Sequence, residues 1–348
     1  MQNIFRDRKY NIPSRYILGY LGVFLTAIFL TGVLIFIFGY DPVSAYYHMF
    51  NNALGSTFGI AETLTFAIPL FLCAMSITIA MRMGLTNLGA EGQLYLGSIG
   101  ATFVALYLPV PDEIRLITVI IFGFVFGAVY ALIPAIMKVR YGVSEIFVGL
   151  MLNFVGLFLV HYLVEGPWIR EGWGAIATSE RFPLSAQIPK IIVDTRLHFG
   201  LILAILVGIL VYFLLKKTAF GYEIKVVGFG EKVARYSGIN ISKTVLFAAL
   251  LSGGFAGLAG MIEVSGVLHL LVGGFSPGYG YLAFGAVLMG RLNPAGVGIT
   301  SFLFAILLGR VESLQRTVGI SLSFFYALVA IIILLILVFE PIIGKVRK

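Results

Sequence analysis

Acidic side chains number 16 and histidines 4 in the 348 residues, so chemistry on a solute must fall to a few positions. A carboxylate, amide or imidazole inside an apolar run is costly and therefore defaults to function or pairing. That singles out Asn87, Glu91 and Gln93 together, Asn153 in the middle of LMLNFVG, and Glu263 and His269 near the end of a later run. Arg82 lies just before the first group, and Glu91 with Arg82 makes either a structural ion pair or part of a polar path. Asn153 either bonds a neighbouring helix or lines a cavity. Glu145 opens an apolar run, where a carboxylate suits the positive end of a helix dipole. Phe275, Tyr279 and Tyr281 flank a Pro-Gly break, where aromatic rings either stack on a flat solute or form an interfacial belt. Two reactive constellations are missing: there is no H-E-x-x-H and no G-x-x-x-x-G-K-[ST]. No catalytic residue and no metal ligand is assigned, and the missing row of Asp or His argues against a proton relay.

The composition says what must position these groups. Hydrophobic residues make up 59% and charged residues 11%, with a mean hydropathy of +1.01, against about 25% charged in soluble chains. This excludes a cytosolic enzyme, a secreted disulfide scaffold and a nucleic-acid binder. The fold class expected is an all-α polytopic membrane protein, and the one cysteine, Cys73, sits in an apolar run and belongs to the core.

Apolar runs lie at about 16 to 38, 59 to 81, 88 to 108, 115 to 137, 144 to 164, 198 to 215, 244 to 267, 279 to 290, 295 to 309 and 320 to 340. The first is too long for a signal-peptide core and reads as a retained helix. The two short runs flanking Arg291 cannot each cross about 30 Å at 1.5 Å per residue, so they are expected to be half-helices shielded by protein. Ten segments with both termini cytoplasmic put 17 of the 24 Lys and Arg residues inside, the sense of the positive-inside rule. The net charge of +8 then describes orientation rather than an affinity for nucleic acid. The organisation expected is a cytoplasmic segment 1 to 15, a membrane domain 16 to 340 and a basic cytoplasmic tail 341 to 348.

Two connections are long. Residues 165 to 197 fall outside with Trp168 and Trp173, and form either an interfacial aromatic belt or a docking rim for an extracytoplasmic partner. Residues 216 to 243 fall inside and hold six basic residues. Within them Gly228 and Gly230 precede Glu231 to Ser237, and Gly238 follows. An acid in the first turn, Arg235 near the last and a closing glycine read as a short capped helix. Ala234 sits mid-helix and leaves a spot where another protein could approach. Such a helix either rests its basic residues on lipid headgroups or gives a soluble partner something rigid to push on.

Four strings, MGLTNLGAEGQLYLGSIGA from Met83, YGVSEIFVGLMLNFVG from Tyr141, GFGEKVARYSGI from Gly228 and FSPGYGYLAFGAVLMGRLNPAGV from Phe275, resemble the membrane permeases of bacterial ABC importers in the simple-sugar and branched-chain amino acid superfamily. NLGAEGQ resembles the nucleoside branch, whose binding protein is a basic-membrane-protein type lipoprotein. The D-L-S-x-G string of ribose-type permeases is not found. The resemblance implies a permease of about ten helices in the inner membrane, paired with a second permease or a copy of itself and joined to two ATPase subunits that bind ATP and magnesium. No cofactor is then expected on this chain.

The resemblance also makes residues 228 to 239 the coupling helix, with Gly230, Glu231, Ala234, Arg235 and Gly238 meeting the ATPase. Lys232 stands where the E-A-A-x-x-x-G pattern of many importers has Glu. The pathway expected from the same resemblance runs past Asn87, Glu91, Gln93, Asn153, Phe275, Tyr279 and Tyr281, and a polar, weakly charged path suits a neutral hydroxylated solute such as a nucleoside, or alternatively riboflavin or a simple sugar. GQLYLG at Gly92 and GYLAFG at Gly280 echo one another, as related halves would. They mark either close helix approach or broken helices presenting their ends to a solute.

Overall fold

A computed structural model describes residues 29–170 and 176–309 together with Thr26, Gln315, Ala327 and Ile331. The segment 1 to 15, Trp173, all of the expected last span at 320 to 340 except Ala327 and Ile331, and the tail 341 to 348 lie outside the described residues. Among the described residues the architecture is helical, with two isolated β-bridges. The chain divides into two compact units, one of residues 64–302 and one of residues 1–63 with 303–348.

In the second of these, residues 29–37 are helical and are followed by α1, Pro42–Leu54. Asp41 caps α1 by accepting from the amides of Val43 and Ser44 at 3.0 and 3.2 Å, and Pro42 starts it without a wasted donor. No apolar run marks this stretch, because α1 is short and mixes polar residues such as His48 and Asn52 beside its buried Ala45, Met49 and Ala53.

The helices that follow are α2 (Thr57–Arg82), α3 (Ala90–Leu106), α4 (Asp112–Tyr141), α5 (Glu145–Glu165), α6 (Gly200–Lys217), α7 (Ala219–Phe229), α8 (Glu231–Tyr236), α9 (Ile241–Ile262, continued by a π-helical turn Glu263–Leu268), α10 (Tyr279–Met289) and α11 (Pro294–Leu308). Five of them are long and apolar enough to cross a membrane: α2, α4, α5, α6 and α9 with its π turn. Residues 216 to 243, read from sequence as a loop with one short helix, instead form the end of α6, then α7 and α8, with Thr218 capping α7 and Asn240 capping α9.

Small residues decide which helices reach the centre. Helices in lipid gain little from burying apolar surface against one another, so association depends on close approach and hydrogen bonds. A Cβ added to Gly97 of α3 would lie 2.1 Å from the Gly257 carbonyl oxygen of α9, and one on Gly127 of α4 would lie 2.4 Å from the Gly253 oxygen. These three helices therefore touch backbone to backbone. Nearly all of α3 is buried in consequence, while α4, α5 and α6 turn Ile121, Phe158 and Ile205 outward.

The two expected half-helices are present as α10 and α11. Helix α10 ends in a Schellman motif: the Leu292 amide reaches the Val287 carbonyl and the Arg291 amide reaches the Leu288 carbonyl. Glycine usually fills the left-handed position of that motif, yet Arg291 has φ 53° and Leu292 φ 57°, a conformation costly for a residue with a Cβ. A Cβ on Gly290 would lie 2.5 Å from the Val297 amide, so the turn into α11 is tight.

The connection before α6 is fastened to two helices. Its backbone amides at Ser179, Phe182 and Ile188 bond the carbonyls of Leu271, His269 and Ser265, which fastens it to the end of α9. Ser185 bonds Asp112 at 2.7 Å and accepts from Arg115 at 2.8 Å, fastening it to α4. His198 is fully buried, accepts the Gly200 amide at 3.1 Å and packs on Gly266. Burial, helped by neighbouring His269, pulls its pKa down from 6.5 to about 4.

Two outcomes are expected. Gly97→Val, which drives a side chain into backbone, should lower stability in detergent by roughly 3 kcal/mol or more, whereas Ile121→Ala on an outward face should change it by about 0.5 kcal/mol or less; thermal unfolding measures both. A histidine whose folded pKa is depressed contributes stability present above about 6.5 and lost as pH falls through about 4. Acidification across that window should therefore lower the melting temperature of the wild type more than that of His198→Leu.

Candidate functional site

Helices α3 and α10 begin against one another. A Cβ on Gly280 would lie 2.5 Å from the Glu91 amide, so the first turns of the two helices are in backbone contact. Gly92 and Gly280, which open the two echoing strings, are the third and second residues of their helices. Of the two alternatives drawn from those strings, the close approach of helices is seen here.

Glu91 occupies the junction. It is the second residue of α3, and its Oε2 accepts the Gly280 amide of α10 at 2.7 Å. Ser276 also bonds this carboxylate, while its oxygen accepts from the amides of Gly278 and Tyr279 and so caps α10. Two helix N-termini thus supply the positive potential that a carboxylate in a low-dielectric setting needs. The expected alternative of an ion pair with Arg82 does not occur. The Arg82 guanidinium instead donates to the Leu292 carbonyl from Nε at 3.0 Å and from Nη2 at 2.8 Å.

Asn153 ties three helices. Its Oδ1 accepts the Gly92 amide at 2.8 Å, and its Nδ2 donates to the Leu88 carbonyl at 2.8 Å and to the Tyr281 hydroxyl at 2.9 Å. Asn87 and Gln93 pair amide to amide at 2.8 and 3.1 Å, and Asn87 also donates to Ser76 and Ser252. These two serines bond each other at 3.0 Å and join α2 to α9. Tyr279 is buried, bonds the Glu263 carboxylate and meets the Phe66 ring at 4.9 Å. Phe275 meets Tyr95 edge to face at 5.2 Å.

All seven expected pathway residues therefore gather around the start of α3, although they are not equally accessible. Glu91, Gln93, Asn153 and Tyr279 are buried, with their polar atoms engaged by protein partners. Tyr281 is 43% exposed, and Phe275 and Asn87 are half-buried. The uncovered parts of Tyr281 and Phe275 are aromatic and can stack on a flat ring, whereas the Asn87 amide is already engaged by Ser76, Gln93, Ser252 and the Gly89 amide. Ser76, Ser252, Ser276 and Tyr95 went unnoticed in the sequence. Apart from Ser276, which lies in the Pro-Gly break, their signal is a hydroxyl in an apolar run, which needs a partner once buried.

Helix α8 is a six-residue helix between Gly230 (φ 137°) and the left-handed Gly238 (φ 71°). Gly228 does not precede it as a loop residue. It lies inside α7, where a Cβ would come 2.4 Å from the Arg82 carbonyl oxygen. Ala234 is fully buried, which corrects its reading as an approach point, since its methyl roots α8 on the protein. The outward residues are Glu231, Lys232, Val233, Arg235 and Tyr236, with Tyr236 94% exposed. Glu231 and Arg235 approach to 4.0 Å along one side.

Replacing Asn153 with Leu strands the Gly92 amide and the Leu88 carbonyl. Each unmet buried group costs about 1 to 3 kcal/mol, so the variant should lose several degrees of melting temperature, whereas Tyr281→Phe, which removes one bond at a partly exposed site, should lose much less.

The sequence signature of the branched-chain amino acid transport system permease component matches residues 59–337. A glucose ABC transporter permease protein of Haloferax volcanii is 33% identical over 91% of this chain and 86% of its own length. A nucleoside ABC transporter permease protein of Lactococcus lactis is 32% identical over 80% of this chain and 79% of its own. A guanosine ABC transporter permease protein of Bacillus subtilis is 30% identical over 89% and 90%. The chain belongs to the family of branched-chain amino acid transport system permease components and is a multi-pass ABC transporter permease, a transport component.

Proposed function

We propose that this chain is one permease subunit of an importer in the bacterial inner membrane, moving nucleosides or a related purine or pentose compound into the cytoplasm. It crosses the membrane about ten times with both termini inside and pairs with a second permease or a copy of itself. Two ATPase subunits, carrying the ATP and magnesium, push on α8, and a solute-binding lipoprotein docks on the connection before α6. That connection turns Leu184 and Val193 outward, apolar side chains suited to a partner surface.

The observation that carries the substrate reading is the aromatic character of the two uncovered side chains, Phe275 against Tyr95 of α3 and Tyr281 in the first turn of α10. Relatives named for nucleoside and guanosine transport support it. A loaded binding protein delivers the solute, so shallow stacking and a few neutral hydrogen bonds suffice, and a deep well would slow release. A second reading, a hexose, is favoured by the Haloferax volcanii relative, because a sugar makes the same neutral contacts.

Reconstitution of the permease with its ATPases and binding protein in liposomes tests both parts. ATP-driven uptake of guanosine but not glucose is expected, and uptake of glucose alone would contradict the nucleoside reading. An aromatic interface anchor is worth about 2 kcal/mol or more, so Tyr236→Asp should reduce ATP-driven uptake at least about tenfold while the permease still folds. Wild-type uptake by that variant would remove α8 from the coupling role.

A further inference from the structure

We propose that Arg82 is a positioning residue that carries movement of α8 to the half-helix α10. The inference rests on the reading of α8 as the surface on which the ATPases push. Arg82 is the last residue of α2 and is gripped from two sides. Its carbonyl lies against Gly228, near the end of α7, where only a glycine leaves room, and one residue, Gly230, separates α7 from α8. Movement of α8 therefore reaches the end of α2 through backbone contact. Packed backbone is stiff, and it passes displacement on rather than absorbing it.

The guanidinium faces the other way. Both of its bonds, from Nε and Nη2, converge on one carbonyl oxygen, that of Leu292. Among the described residues no carboxylate pairs with Arg82, so a full cation is spent on a neutral acceptor. The acceptor belongs to the corner where two successive residues, Arg291 and Leu292, hold left-handed backbone. A strained corner persists only when its surroundings fix it, and the forked donor fixes the oxygen in direction as well as distance, which a single ammonium cannot do.

From that corner α10 runs back to the candidate site. Eleven helical residues make a strut of about 16 Å. Its far end carries the Gly280 amide held by Glu91 and the Tyr281 hydroxyl held by Asn153. A displacement at Arg82 thus arrives at Tyr281, one of the few accessible side chains of the candidate site. The path is contiguous from α8 through α7, Arg82 and Leu292 to α10, and coupling along such a path has to be shown by measurement.

The test is the amount of solute imported per ATP hydrolysed by the reconstituted complex. Arg82→Leu should keep ATP hydrolysis and lower import per ATP by about fivefold or more, the lower bound of typical coupling between sites. Arg82→Lys, which keeps charge and one donor, should restore part of the ratio. Gly228→Ala, which forces α7 off the Arg82 carbonyl, should lower it from the other side. If Arg82→Leu does not assemble, the Lys and Gly228→Ala variants carry the same prediction. An unchanged ratio in them overturns the proposal, as does a proportional fall of import and hydrolysis, which a merely structural role would give. Wild-type import that needs no ATP would instead overturn the reading of α8, and this proposal with it.

Discussion

A helix of eleven residues is about half the length needed to cross the hydrocarbon core of a membrane, so α10 must have both ends satisfied by protein. The α2–α3 corner does this with charges matched to the helix dipole. Glu91 takes the amide at the positive end, and Arg82 lies at the negative end on the Leu292 carbonyl. Only eight residues lie between the two in sequence, and they hold the opposite ends of one strut. The left-handed pair at Arg291 and Leu292, the capping serine at Ser276 and the close contact of Gly280 with Glu91 all follow from fixing that strut in place.

Around the strut the bundle is made stiff by glycine. Where Gly97 meets Gly257, and Gly127 meets Gly253, the helices touch through backbone, and the serine pair Ser76 and Ser252 adds a polar tie that Asn87 extends to Gln93. Such a centre has little freedom to deform, so a change of access has to come from elements that move as bodies. The short helices α8 and α10 suit that role, because each ends in a left-handed turn instead of running on into its neighbour.

The sequence made the helical fold legible because runs of apolar residues carry their own length signal. The two short runs around Arg291 were readable as half-helices for the same reason, and Gly238 announced the end of α8. What stayed hidden depends on three-dimensional pairing. Glu91 and Arg82 are close in sequence and opposite in charge, which suggested an ion pair, but each found a helix end instead. Ala234 looked like an opening for a partner because it is small, and it is small because it is buried. Gly228 looked like a loop glycine, yet its missing side chain makes room for the Arg82 carbonyl. The α1 helix buries Ala45, Met49 and Ala53 at helical spacing, but it is too short and too polar to register as an apolar run. The gathering of Asn87, Glu91, Gln93 and Asn153 was legible as a group, since polar residues in apolar runs are few, but the serines that complete their bonds were not.

The central claim is that α10 acts as one rigid body held at both ends. Positions this far apart with no shared partner normally add in their effects to within about 0.5 kcal/mol. A double-mutant cycle of Glu91→Gln and Arg82→Leu, read by unfolding of the purified permease, tests the claim most directly. A strut released at one end loses the benefit of its other clasp, so the combined destabilisation should fall short of the sum of the single effects by more than about 0.5 kcal/mol. Strict additivity would contradict the account and reduce the two clasps to separate local contacts.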